Sequence, residues 1–172
     1  MIKIPKQIRI LKNEPLLLLT LPIAIPLLII IIFFSPILHI RIGFLHSDRI
    51  GHFSLNTELS ILEKNIFGVK IKSLYQIDLY YLPRESCNKT LEALWRKQLI
   101  ILPKLFLRPF CLVIRSSKFL RNNFFCGSTI NGERDTLELL DKYPPTITLT
   151  EEFIKKGQKE LFRFGIPSNA KY

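Results

Sequence analysis

Residues 41–63, RIGFLHSDRIGHFSLNTELSILE, decide the reading of this chain because they change character in the order strand, turn, helix. Ile40, Ile42, Phe44 and Leu45 form a short apolar, partly β-branched run suited to a buried strand. Ser47, Asp48 and Gly51 are turn and helix-start residues. From Phe53 the apolar residues fall at Phe53, Leu55, Leu59 and Leu62, close to helical spacing, with Glu58, Glu63 and Lys64 left for a wet face. The unit predicted is β-loop-α, whose helix N-terminus offers free backbone N–H groups to an anion. Its turn holds His46, Ser47, Asp48, Arg49 and His52, so two of the three histidines lie there. This is where chemistry would sit. The plain alternative is that Asp48 caps the helix, Arg49 pairs with a nearby carboxylate and His52 is packed or at the surface; composition alone favours it. The chain has no G-x-G-x-x-G, so a dinucleotide site is not indicated.

Before this unit, residues 1–14 form a basic flank in which Lys3, Lys6, Arg9 and Lys12 recur. Residues 15–38 then carry no charge, which predicts a transmembrane helix, or a bent or re-entrant segment given Pro22, Pro26 and Pro36. Lysines and arginines before the run outnumber Arg41 and Arg49 just after it, favouring an inside N-terminus. The prolines permit a re-entrant path, however, and the thiol content suits a cytoplasmic globular part. The expectation adopted is an inner-membrane protein whose globular part is cytoplasmic, with membrane lipid as a partner.

At 172 residues the chain has the length of about one domain. Its net charge of +11 points to anionic lipid or a phosphate-bearing ligand, because no nucleic-acid motif is present. Cys87, Cys111 and Cys126 show neither C-x-x-C spacing nor a paired histidine, so no metal site and no disulfide framework is expected, and a reducing compartment fits.

Beyond the β-loop-α unit, Val69–Ile71 and Ile77–Leu82 are short strand-compatible runs, and Asn88–Ile101 reads as a helix capped by Asn88. Between Ala93 and Gly132 no acidic residue occurs. Lys104, Arg108, Arg115 and Lys118 share an arc of roughly 80° at about 100° per residue, on a helix that Pro109 is expected to break. That helix is either interfacial at a membrane or a core helix with a solvated edge. Residues 122–132 are loop-like, and Leu137, Leu139 and Leu140 form an apolar patch stopped by Pro144 and Pro145. A last helix starts at Thr150, with Phe153, Ile154, Leu161 and Phe164 as its buried face and Gly165 at its end.

Several pieces resemble, in order, the N-terminal half of a family of bacterial glycosyltransferases of the two-Rossmann-domain (GT-B) kind. They are Arg41-Ile42-Gly43, Asp48-Arg49-Ile50-Gly51-His52-Phe53 and Asn56-Thr57-Glu58-Leu59, followed by Ile77-Asp78-Leu79-Tyr80. Cys87-Asn88 with Leu91, Trp95, Arg96 and Lys97, then Gly132-Glu133-Arg134-Asp135, then Phe164-Gly165-Ile166-Pro167 complete the series. With the uncharged run at 15–38 as the membrane segment, the resemblance implies an α/β fold: an incomplete Rossmann-like half-domain over 39–145 and a linker helix over 146–172 toward a second domain. It implies His52 as general base on an acceptor hydroxyl, with Asp48, Arg49, Gly51 and Asn56 binding the substrate, Arg49 on an acceptor phosphate and Asp48 orienting His52. No cofactor is expected in this chain. A nucleotide sugar would be co-substrate on the second domain, with a glycan or lipid-linked acceptor on this one. No Asp-x-Asp occurs, so metal-dependent transfer of the single-domain kind finds no support. The alternative function is a small, non-catalytic, membrane-bound adaptor.

Overall fold

The computed structural model describes residues 15–68, 72–127 and 135–166, the first four by backbone alone. Four strands form one parallel sheet: β1 (Leu38–Phe44), β2 (Tyr75–Tyr81), β3 (Ile100–Ile101) and β4 (Phe125–Cys126), in the order β3-β2-β1-β4. Ile42 stands opposite Leu79 on one side and Phe125 on the other. The helices are α1 (Pro15–Phe33), α2 (Thr57–Phe67), α3 (Lys89–Gln98), α4 (Lys104–Ser116), α5 (Lys118–Phe124), α6 (Leu139–Lys142) and α7 (Glu151–Arg163). A π-helical turn, His52–Asn56, leads into α2.

Period-two alternation of the strands sorts side chains to two faces. Ile40, Ile42, Phe44, Leu79, Tyr81 and Phe125 pack with Leu28 of α1, Leu107, Cys111 and Ile114 of α4 and Phe124 of α5. Tyr80 and Cys126 point the other way and pack with Leu45, Phe53 and Trp95. Helices therefore cover both faces, as a buried parallel sheet requires. The architecture is thus α/β with a parallel sheet.

The membrane expectation is corrected. Among the described residues no helix is long and apolar enough to cross a membrane. The uncharged run at 15–38 is not one element: α1 stops at Phe33, Phe34–Ile37 turn, and Leu38 already opens β1. The turn is closed by Phe34 N–H donating to Ile30 O at 3.0 Å and Leu38 N–H to Phe34 O at 2.8 Å. Ala24 and Leu28 are buried, and Leu28 joins the core under the sheet. The transmembrane or re-entrant segment, the membrane anchor, the membrane-bound adaptor, the lipid partner and the inner-membrane location fall together.

Three smaller expectations change as well. Pro109 lies buried inside α4, and the break comes at Ser117, whose backbone is extended. Burial of Leu107, Pro109, Cys111 and Ile114 holds that helix through the donor that proline removes. Residues 125–126, read as loop, are β4. The supposed buried face of α7 is largely exposed, Phe164 at 80% and Ile154 at 45%, and no residue of α7 is buried. Residues 1–14, Val69–Ile71, Gly132–Arg134 and Pro167 lie outside the described residues.

Candidate functional site

All four strands run the same way, and the chain proceeds outward from β1 through β2 to β3 before β4 returns to the other side of β1. The order thus reverses between β1 and β4. In open α/β sheets the crevice outside the carboxyl ends of the strands at such a reversal is where ligands bind. The His46–His52 turn leaves β1 at that end.

The seam between β1 and β4 is unusually close. A Cβ on Gly43 would stand 1.9 Å from Cys126 O, so only glycine fits there. Gly127, with φ +80°, leaves β4 in the left-handed region, and a Cβ there would meet Phe44 O at 2.7 Å. The carboxyl ends of β1 and β4 are thereby fixed against each other.

The loop after β1 is tied to the loop after β2. Ser47, fully buried, donates its hydroxyl to Arg84 O at 2.9 Å, and Cys87 N–H donates to Ser47 O at 2.8 Å. Asp48 pairs with Arg84 at 3.1 Å, an exposed contact. It does not cap the helix. Arg49 is exposed and makes no ion pair among the described residues, while its carbonyl accepts Phe53 N–H at 2.9 Å as the helix begins.

His52 opens the π-helical turn, half-buried. Its ring lies edge-on to that of His46 with centroids 5.9 Å apart, and His46 in turn lies edge-on to Phe44 at 5.0 Å. Sequence reading put His46 in the cluster without a role; the structure makes it the neighbour of His52. Single π-helical turns inside helices recur at functional sites. This one is held from beneath: Phe53 is fully buried, and its carbonyl accepts the indole N–H of Trp95 at 3.0 Å. Gly51 has ordinary helical dihedrals with nothing within 4 Å of a Cβ, so the space above it is open. Asn56 is 6% exposed with Nδ2 unpartnered among the described residues, facing the packed interior.

Several motif residues hold the fold. Arg41 makes two hydrogen bonds to Asp78, its register partner, at 2.7 and 2.6 Å, and Lys64 of α2 reaches the same carboxylate at 2.7 Å. Burial opposes ionisation of Asp78, but the bonded Arg41 and then Lys64 outweigh it and hold the carboxyl below the usual carboxylate range. Glu58 accepts both the amide and, at 2.8 Å, the hydroxyl of Thr146. Asn88 caps α3 by accepting Leu91 N–H at 2.9 Å. Asp135 accepts the amides of Leu139 and Leu140 at the start of α6, both at 2.8 Å.

No family model, curated protein or solved structure matches the chain. The site's chemistry rests on its own residues. Among the described residues no group of three or more His, Cys, Asp or Glu could hold a metal ion. With Arg41, Gly43, Asp78, Glu58 and Asn88 in structural roles, His46, Asp48, Arg49, Gly51 and His52 remain at the open end of the sheet. A pair of imidazoles with an exposed guanidinium on the same turn can take up a proton and hold an anion.

Proposed function

We propose that this chain supplies one wall of a glycosyl-transfer site, with His52 as the general base that takes the proton of an acceptor hydroxyl. The observation that carries the reading is the place of the His46–His52 pair, at the carboxyl end of β1 where the strand order reverses. The motif resemblance adds the reaction class. Arg49 binds an anionic group of the acceptor, and the open space above Gly51 admits it. His46 packs against His52 and sets the direction of its ring. The donor, a nucleotide sugar, belongs to an opposing wall from a second domain.

The test compares His52→Ala with the unaltered sequence in an assembly that supplies the donor-binding wall. Turnover should fall roughly 10²- to 10⁴-fold, the contribution typical of a general base. The thermal midpoint should stay within a degree or two, because His52 is at the edge of the core. Residues 1–172 alone should transfer no sugar. Normal turnover in His52→Ala, or transfer by the chain alone, would defeat the reading.

A further inference from the structure

Arg115 approaches the same crevice from the opposite side of the sheet. It stands in the last turn of α4, exposed, with its guanidinium carbon 5.3 Å from the centroid of Phe44 and 5.8 Å from that of Phe125. Those two rings are themselves edge-on at 5.7 Å, one at the end of β1 and the other at the start of β4. Phe44 also touches His46, and His46 touches His52. A continuous row thus leads from a permanent cation to the two histidines in steps of 5 to 6 Å.

Residues 94–127 contain no acidic side chain, and Arg115 makes no ion pair among the described residues. Arg108, seven residues earlier and so on the same face of α4, joins Arg115 in acting on the buried Tyr81 and Cys111. Cation–π contact with two aromatic rings holds the Arg115 side chain at the end of β1 and leaves an exposed guanidinium fork for a planar or tetrahedral oxyanion. Phosphate, with two charges and several acceptor oxygens, gains more from such a fork than a carboxylate does.

Resting on the site reading above, we propose that Arg115 is a second anion-gripping residue of this crevice, in addition to Arg49, and that the ligand it takes carries a phosphate ester or diphosphate. The phosphate end lies on Arg115 at the β1–β4 seam, and the reacting end lies along the row toward His46 and His52. Specificity for a phosphorylated ligand then comes from a residue more than sixty positions away from the turn that carries the base.

The probe is inorganic pyrophosphate, titrated into the 172-residue chain at constant ionic strength while the imidazole proton resonances of His46 and His52 are followed by NMR. Saturable shifts of both signals are expected, absent when sodium chloride replaces pyrophosphate. Arg115→Met, which keeps a stem over the rings and removes the charge, should raise the apparent Kd about 10-fold or more, the loss expected for one charge-assisted contact. Arg115→Lys should recover part of the affinity, and Arg121→Met on α5 should leave it unchanged. Circular dichroism establishes that each variant is folded. No saturable shift in the unaltered chain, or equal affinity in Arg115→Met, overturns the proposal. Pyrophosphate binding through Arg115 combined with normal turnover in His52→Ala would reject the glycosyl-transfer reading and keep the phosphate site; the reverse pattern would do the opposite.

Discussion

Replacing Asp78 should cost far more stability than replacing either of its cationic partners, because one carboxylate serves both. Its side chain is 6% exposed, against 15% for Arg41 and 32% for Lys64. Asp78→Asn leaves a largely buried guanidinium on β1 without its counter-charge. Breaking a buried ion pair from one side costs about 3–5 kcal/mol, and the partial exposure of Arg41 places this case near the lower figure. Arg41→Met leaves Asp78 still paired with Lys64 and should cost about 1–2 kcal/mol, the worth of charged hydrogen bonds replaced by packing. Lys64→Met, at the wettest corner, should cost under about 1 kcal/mol. The sign with pH follows from the depressed carboxyl of Asp78. Its contribution is complete above the unfolded carboxylate pKa, about 3.9, and is lost as pH falls through the lower folded value. Urea unfolding followed by circular dichroism between pH 7 and pH 3 measures all of this, and the gap between the unaltered chain and Asp78→Asn should close only at the acid end. An Arg41→Met loss equal to that of Asp78→Asn would refute a network centred on the carboxylate.

Gly43→Ala should lower stability by about 2 kcal/mol or more, since its Cβ would overlap Cys126 O and force β1 and β4 apart. Gly51→Ala, with open space and helical dihedrals, should be neutral or stabilise by about 0.5 kcal/mol; the two midpoints, measured side by side, separate a packing glycine from one that merely leaves room. His39 is fully buried, donates Nε2–H to Asn123 O at 3.1 Å and has Nδ1 unpartnered among the described residues; burial lowers its pKa. Its lowered folded pKa means stability is lost as pH falls from the unfolded value, about 6.5, through the folded one, and His39→Phe should flatten the urea midpoint over that window.

The β1-turn-α2 unit was legible because strand and helix periodicities meet there across turn residues, and the strand lies two residues earlier than read. Asn88 as a cap was legible from residue type alone. The fate of residues 15–38 was not, since a run without polar residues has no periodicity to say where a helix gives way to a strand. Two-residue strands such as β3 and β4 lie below the length at which alternation can be seen. At the site, the sequence placed His52, Arg49 and Asp48 in one turn, and that much is local. It could not show that Asp48 reaches Arg84, or that Arg115 lies over Phe44, because both depend on strand order. Motif residues also divide by role only once neighbours are known: Arg41 and Gly43 answer to Asp78 and Cys126, which are remote in sequence.

The thiols offer a consequence for experiment. Cys111 and Cys126 are buried, and burial raises the pKa of both, so neither is a ready nucleophile at neutral pH; Cys87 alone is exposed. Its amide is bonded to Ser47 O, inside the turn that carries the histidines. A maleimide fluorophore or spin label added to the unmodified chain will therefore attach next to the crevice without any engineered cysteine, and its signal will report when something enters.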